Sequence, residues 1–364
     1  MKVGILGAGA MGRTVVGHLQ QSPDVKEIVA YDISTDSLKK THTEFAVSST
    51  DSLNQILDDE AVKVVFITAA NGAHKELALA SLEAGKAVMC EKPMANSLEE
   101  SREMAETAER LNGFLQIGFE LRYSHLYAKT KHWIDEGRIG QIRNLHCNYI
   151  TSSSWLRDSW RTRKQQGGSM FGEKLSHYVD LPRWWTGSEV TEVHATSAPN
   201  VIPFYEVRDN YHSTCTFENG TVSHLTFIMP FASTMKFTDP LIDRLDEQKD
   251  LGYELRYLIV GTEGAIETNV FRRTLKHWVF KETEKGFSSD LVETHTWKAE
   301  QDQSYIHNTC DQTHDIIRRV RDGLPPSISP WDALETMKVC EAAELSAEQN
   351  RPVPMTRSRE VAVA

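Results

Sequence analysis

Three groups of residues have the types and spacing to do chemistry. The first is Gly7-Ala8-Gly9-Ala10-Met11-Gly12, directly after an apolar run (Lys2 to Leu6) and directly before a helical pattern (Met11 to Gln21). The first glycine permits a tight turn, the second lets a pyrophosphate approach the backbone, and the third lets helix and strand pack closely. The phosphates meet the positive end of the helix. Asp32 lies 20 residues past Gly12, at the end of the next apolar run. A carboxylate there accepts hydrogen bonds from both ribose hydroxyls and repels a 2′-phosphate, and Ile33-Ser34-Thr35 offers no arginine to hold one. The pattern predicts an NAD site built on Gly7, Gly9, Met11, Gly12 and Asp32, and favours NAD over NADP.

The second group is Glu91-Lys92-Pro93, which ends a short strand at Ala87 to Glu91. Ligands of an open parallel sheet bind at such strand ends. On position alone, Lys92 is equally consistent with a solvated turn. The third group is Gly167-Gly168-Ser169 followed by Glu173-Lys174-Leu175-Ser176-His177-Tyr178-Val179-Asp180. On a helix, positions 173, 177 and 180 share one face, so Glu173, His177 and Asp180 line one wall. A histidine near neutral pKa suits the proton of an alcohol that loses hydride. A carboxylate beside it orients substrate or raises that pKa, while an ordinary surface ion pair is the alternative. Asp180, just before Leu181-Pro182, reads as structural.

Upstream stands Trp155-Leu156-Arg157-Asp158-Ser159-Trp160-Arg161-Thr162-Arg163. Tryptophan with arginine and aspartate is the chemistry of sugar sites: apolar ring faces and bidentate hydroxyl contacts. Three arginines also fit a carboxylate or phosphate on the ligand, or a solvated basic loop. Trp155, Arg157, Arg163 and Lys174 are therefore candidate substrate contacts. Arg122, Tyr123, Asp209, Asn210 and His314 are weaker ones.

The elements that must position these groups alternate over the first third of the chain. Strands at Lys2 to Leu6, Glu27 to Asp32, Val62 to Thr68, Ala87 to Glu91 and Phe114 to Gly118 are separated by helices, including about 73–84 and 97–111. The second of these helices opens with Ser97 and Glu100 at capping-box spacing. Apolar β-branched strands alternating with helices imply a parallel, doubly wound sheet covered on both faces. After residue 120 a helix near 123–136 gives way to segments of period two: Arg143 to Thr151, Val190 to Ser197, Ser213 to Glu218, Thr221 to Ile228, Tyr257 to Val260, Lys276 to Phe280 and Glu293 to Trp297. They predict an α+β domain with one large, mostly antiparallel open sheet, helices on one face and solvent or a partner subunit on the other. Ser329-Pro330-Trp331-Asp332 starts a helix that runs to about Glu348. The expected division is a dinucleotide-binding domain over 1–120 and a substrate-binding, oligomerising domain over 121–364, with the last helix packing back toward the first domain.

Together the glycine motif, Asn71-Gly72-Ala73-His74, Glu91-Lys92-Pro93 and Gly118-Phe119 resemble the glucose-fructose oxidoreductase / inositol dehydrogenase / rhizopine-catabolism (Gfo/Idh/MocA) family, down to the tail at Arg351-Pro352-Val353. The resemblance implies that Lys92 contacts both substrate and nicotinamide, through a lysine–proline bond that is commonly cis. It places Asn71, His74 and Glu91 beside the cofactor, although Ala69-Ala70 stand where the family often has Thr-Pro. The family helix carries an acid and a histidine four residues apart. Here the acid is Glu173, followed by Lys174, where aspartate and glycine are common. The implied reaction moves hydride between nicotinamide and a secondary hydroxyl of a sugar or cyclic polyol held between the domains. His177 takes the proton, Lys92 polarises the oxygen, and Glu173 with Lys174 positions the ring. A bound-NAD glycosidase working by transient oxidation, or a redox-silent binder, are the rival readings. A homo-oligomer, dimer or tetramer, is expected.

Composition removes other classes. A net charge of -11 argues against a nucleic-acid partner, because phosphate binding needs a basic face. The longest apolar stretch, Ala61 to Ala70, is about half a membrane span. Cys90, Cys147, Cys215, Cys310 and Cys340 show no paired or metal-like spacing, and the histidines do not cluster with acids, so no metal site is expected. Scattered cysteines and a start that runs straight into a strand suggest a cytoplasmic protein. Asn219-Gly220-Thr221 reads as a hairpin turn rather than a glycosylation site.

Overall fold

The computed structural model describes residues 1–164, 168–234 and 245–358. The chain divides into two units: Met1–Glu120 with Thr309–Lys338, and Leu121–Asn308 with Val339–Ala364.

In the first unit the apolar runs of the opening third become β1 (Lys2–Leu6), β2 (Glu27–Tyr31), β4 (Val62–Ile67), β5 (Ala87–Cys90) and β6 (Leu115–Ile117), and a polar segment the sequence reading did not mark adds β3 (Ser48–Thr50). All pair in parallel in the order β3-β2-β1-β4-β5-β6. The order reverses between β1 and β4, which opens the crevice where such sheets bind nucleotides. Helices follow the strands, each started by local chemistry. Ser97 Oγ accepts from Glu100 N at 3.2 Å, while the Glu100 carboxylate reaches back to Asn96 N, one residue earlier than in the usual box. Ser34 caps a helix at Thr35–Phe45 that the apolar pattern did not reveal.

The division of the chain needs one correction. Thr309–Lys338 groups with the first unit, although the sequence reading assigned everything after 120 to the second. The cause is the helix Thr309–Asp322, whose Ile316 and Ile317 are fully buried in the cluster of Val3, Ile5, Val15, Val16 and Phe66. Its remaining buried positions are Gln312 and Thr313, so little apolar periodicity announced it. The final helix, Pro330–Gln349, is capped at Ser329, whose Oγ accepts from Asp332 N at 3.1 Å. Its first turns belong to the first unit and the rest to the second.

The second unit holds one nine-stranded sheet: β7 (Ile142–Ile150), β8 (Val190–Thr196), β9 (Asn210–Phe217), β10 (Val222–Ile228), β11 (Glu254–Gly261), β12 (Gly264–Asn269), β13 (Thr274–Thr283), β14 (Gly286–Thr296) and β15 (Val353–Pro354). The order is β14-β13-β12-β11-β7-β10-β9-β8-β15, antiparallel except for β7 beside β10. Period two holds along it. Leu145 and Cys147 of β7, Leu225 and Phe227 of β10, and Tyr257 and Ile259 of β11 point into a core with Tyr127, Trp133 and Trp185. His146, Asn148, His224, Thr226, Glu267 and Lys276 alternate to the opposite face and are partly or fully exposed. β12 escaped the sequence reading because its inward residues are Gly264, Ile266 and Thr268. The turn at Asn219-Gly220 joins β9 to β10 as expected, with Gly220 at a φ of 79°.

Candidate active site

In the first unit the glycine loop is tied to both neighbouring strands. Gly7 N donates to Tyr31 O at 2.8 Å, and Thr68 Oγ1, just past β4, donates to Gly7 O at 2.6 Å. The three glycines then answer separately to the question of a side chain. Gly7 has a φ of 109°, and a Cβ there would lie 2.5 Å from Ala69 N. A Cβ at Gly12 would lie 2.0 Å from Gly7 O, so the third glycine serves the contact between helix and loop. A Cβ at Gly9 would meet no atom of the protein within 4 Å. The second glycine is thus not required by the protein's own packing. It leaves backbone approachable at the N-terminus of the helix Ala10–Gln20, which is the property a pyrophosphate cradle needs. The helix has no acid in its first turn, and Met11 there is 39% exposed.

Asp32 is held by both oxygens: Oδ2 accepts from Ala8 N at 2.7 Å and Oδ1 from Ser34 N at 2.8 Å. These bonds fix the carboxylate beside the glycine loop while each oxygen keeps lone-pair capacity for a ribose hydroxyl. The residues present therefore fit an NAD adenosine and pyrophosphate. Ile33 next to it is 88% exposed, so no basic side chain occupies the place a 2′-phosphate would need.

The ends of β4 and β5 converge beside this loop. Glu91 N donates to Ile67 O, and Gly118 N to Cys90 O, extending the parallel ladder. The Lys92-Pro93 peptide is cis, as the resemblance implied. Asn71 opens a single 3₁₀ turn that runs into the helix His74–Glu83. His74 is 1% exposed and faces two carbonyl oxygens: Pro93 O at 2.8 Å from Nδ1, and Ala69 O at 3.2 Å from Nε2. It thereby joins the loop after β4 to the Lys92-Pro93 turn. Glu91 Oε2 accepts from Lys92 N at 3.3 Å, and Gly118 lets the two loops approach, since a Cβ there would sit 3.2 Å from that oxygen. Asn71, His74, Glu91 and Lys92 thus share one end of the sheet with the glycine motif.

In the second unit the predicted helix is split. Phe171–Leu175 forms a wider π turn, and the α-helix proper is Ser176–Thr186. Such turns recur where a helix must present side chains off its regular phase. Glu173, in the π turn, and His177, one turn on, are 7% and 5% exposed. Glu173 Oε2 accepts from Arg161 Nε at 2.8 Å, so the arginine loop supplies the acid with a cation. Lys174 Nζ donates to Ser154 Oγ at 3.1 Å and lies 5.1 Å from the centroid of the Tyr149 ring, a favourable cation–aromatic distance. Tyr149 in turn packs on Tyr178, centroids 4.8 Å apart. Pro182 removes an N–H from the helix. The Tyr178 carbonyl that would have received it accepts from Tyr257 Oη instead, at 2.8 Å.

Several candidates have partners that define them. Arg122 grips Asp180 in a bidentate pair at 2.8 and 2.7 Å, with side chains 9% and 1% exposed. Asp180 is accordingly a buried structural acid, gripped by Arg122 and with Arg183 at 4.0 Å. Tyr123 is partly buried, and its carbonyl accepts from Asn308. Trp155 stacks on Tyr205 at 5.8 Å, and its backbone N–H donates to the Tyr205 hydroxyl at 3.0 Å. Arg157 is exposed, 4.5 Å from the Phe204 ring, and Arg163 is exposed too. Asp209 accepts from the backbone of Val201 and Ile202 and from Asn210, so it organises a loop. His314 lies in the first unit, bonded to His18 O at 2.9 Å. Gly167 lies outside the described residues. No group of three or more metal-ligating side chains occurs among the described residues.

Thr68, Ser154, Tyr149 and Tyr205 were not singled out from sequence, and Arg161, read there only as one of three arginines of the loop, is the partner of Glu173. Thr68 carried a signal, its place at the end of the strand where the sheet order reverses. The others owe their places to long-range pairing.

Comparison with known proteins agrees with this anatomy. A family model described as an oxidoreductase family with NAD-binding Rossmann fold matches residues 1–119, and its C-terminal alpha/beta domain model matches 131–355. The chain is 32% identical to the inositol 2-dehydrogenase of Salmonella typhimurium, over 96% of this chain and 94% of that one. It is 27% identical to the levoglucosan dehydrogenase of Pseudarthrobacter phenanthrenivorans, over 80% and 78% of the two chains. Among solved structures, a levoglucosan dehydrogenase in complex with NADH and levoglucosan superposes with a TM-score of 0.79 at 23% identity, covering 97% of this chain and 99% of that one.

Proposed function

The chain belongs to the Gfo/Idh/MocA oxidoreductase family, and we propose that its reaction is hydride transfer between NAD and a secondary hydroxyl of a sugar or inositol-like cyclic polyol. The observation that carries this reading is the complete NAD cradle of the first unit; the buried acid–histidine turn of the second unit, Glu173 and His177, supports it. The named relatives act on inositol and on levoglucosan, which supports a polyol or sugar ring as the substrate class.

Bound NAD supplies the hydride acceptor. The rest is the work of the chain's own groups. Asp32, itself held by the Ala8 N–H, selects the unphosphorylated ribose, and the N–H groups at the start of the helix Ala10–Gln20 hold the pyrophosphate. His177 accepts the hydroxyl proton as the alcohol is oxidised, and returns it in the reverse direction. Lys92 donates to the same oxygen and stabilises the negative charge that develops there. Glu173, oriented by Arg161, accepts from a neighbouring ring hydroxyl. Lys174 and Trp155 shape the rest of the ring's surroundings, and Arg157 and Arg163 are the contacts that would read an anionic substituent. We also propose that the protein is a cytoplasmic homo-oligomer whose open sheet face meets a partner subunit.

Two variants test the assignment. Lys92→Met and His177→Gln should each lower kcat by about 10²- to 10⁴-fold, the usual yield of a positioned acid–base group. The Kd for NAD should stay within about threefold, because a removed transition-state contact leaves ground-state binding alone. Full activity in either variant removes that residue from the mechanism.

A further inference from the structure

We infer that Glu344 is a positioning residue, whose carboxylate clamps the entry of the helical segment that carries Glu173 and His177. The inference rests on the assignment of those two residues to the reaction. Glu344 lies in the final helix, and its Oε1 accepts two hydrogen bonds from the start of the segment: Ser169 Oγ at 2.7 Å and Phe171 N at 3.1 Å. Ser169 passes the restraint on, since its own Oγ accepts from Gly172 N at 2.8 Å and its carbonyl from Glu173 N at 3.0 Å.

The first N–H groups of a helical segment have no partner within it, and here three consecutive ones are satisfied. Gly172 and Glu173 are served by Ser169, next to them in sequence. Phe171 is served by Glu344, 173 residues away. The end of the segment that leads directly into Glu173 is therefore set jointly by Ser169 and by the final helix, which also holds Ser169. An acceptor oxygen suits the position, because the first N–H groups of the segment point out of it. One turn further along the final helix, Glu348 pairs with Lys164. Met170 and Phe171 are fully buried, which leaves little room for the entry to settle elsewhere once the clamp is lost.

Both bonds fall on one oxygen, and this makes the proposal separable from a general loss of structure. Glutamine offers the same acceptor, so Glu344→Gln keeps both bonds, whereas Glu344→Leu keeps neither. In folded protein, verified by its thermal transition, E344L should lower kcat for the sugar or polyol by about 10- to 100-fold, the scale of a small misplacement near the chemistry. Its KM for NAD should not move, and E344Q should stay within about threefold of wild type. Amide exchange at Phe171 and Gly172 should quicken by about tenfold or more in E344L and not in E344Q. Should E344L fail to fold, Ser169→Ala removes one leg of the clamp and should show the same changes in smaller measure. Unchanged kcat and exchange in E344L, or E344Q falling as far as E344L, overturns the clamp. Absence of NADH formation by the wild type with every sugar and polyol overturns the proposed reaction instead, and the exchange comparison then still decides the clamp.

Discussion

Alanine at Gly9 and alanine at Gly12 add the same methyl group to the same loop, and the structure assigns them different consequences. At Gly12 the methyl carbon falls 2.0 Å from the Gly7 carbonyl oxygen and 3.0 Å from Thr68 Oγ1. That oxygen is backbone, and it is already held by the Thr68 hydroxyl, so the helix must move away from the loop. Overpacking of this kind costs about 1–3 kcal/mol. In a unit of this size each kcal/mol lowers Tm by about 2–4 °C, so Gly12→Ala should lose roughly 2–12 °C. At Gly9 the backbone has an ordinary extended conformation, φ of -68° and ψ of -164°, and the methyl meets nothing within 4 Å. Gly9→Ala should therefore change stability by no more than about 0.5 kcal/mol. Its effect falls on the cofactor instead, because the methyl stands where the pyrophosphate approaches. Losing one charge-assisted N–H to phosphate bond is worth about 1.5–3 kcal/mol, or roughly a 10- to 10²-fold higher Kd for NAD. Calorimetric titration with NAD and a thermal melt on the same samples read both quantities. Gly9→Ala that melts as early as Gly12→Ala, or that binds NAD as tightly as wild type, refutes the reasoning.

Three further perturbations follow from the same geometry. The pair Asp32→Ser with Ile33→Arg replaces a carboxylate by a cation at an exposed position, and should shift the ratio of NAD to NADP affinity toward NADP by about 10²-fold, the weight of one or two charge-assisted bonds; an unshifted ratio in competitive binding contradicts the role given to Asp32. Arg122→Met removes the bidentate partner of the Asp180 carboxylate, 1% exposed, leaving Arg183 at 4.0 Å, and should cost about 3 kcal/mol in urea denaturation, while Arg122→Met with Asp180→Leu recovers most of the loss; a double variant as unstable as the single one refutes the pairing. Desolvation raises the Glu344 carboxyl above its ordinary 4.5, against the pull of Ser169, Phe171 and Lys164. A raised folded-state value contributes stability below the unfolded value and loses it as pH rises through the folded one. The Tm of E344Q relative to wild type should thus be least favourable at acid pH and improve toward neutrality; a pH-independent difference contradicts the burial of a charge there.

The doubly wound sheet was legible where its strands are apolar runs and its loops carry glycine where glycine alone fits, and silent at β3, whose residues are serine, serine and threonine. Gly7, Gly12 and Asp32 could be named, for their roles depend on neighbours one strand away. The large sheet was legible where inward residues were big, as at Leu145 and Cys147, and silent at β12, whose inward residues are glycine, isoleucine and threonine. β14 was seen only at its end, since most of its residues are exposed and no alternation marks them. The helix Thr309–Asp322 joined the first unit through two isoleucines and two polar side chains, too slight a stripe to read. Among the candidate residues, His177 and Glu173 were named from helical spacing and the family resemblance, but the π turn was not, because nothing in the residue types distinguishes it from a regular turn. The partners of the charged residues were out of reach for the same reason in every case. Arg122 with Asp180, Arg161 with Glu173, and Glu344 with Ser169 are joined by the fold, not by spacing.

The most direct measurement follows the absorbance of reduced nicotinamide when the purified protein meets NAD and a panel of inositols, aldoses, uronates and glycosides, with the carbonyl product quantified alongside. Net hydride transfer predicts one class that yields NADH and ketone in equal amounts. Cleavage of a glycoside without net NADH, or NAD bound firmly with no substrate turned over, would contradict it.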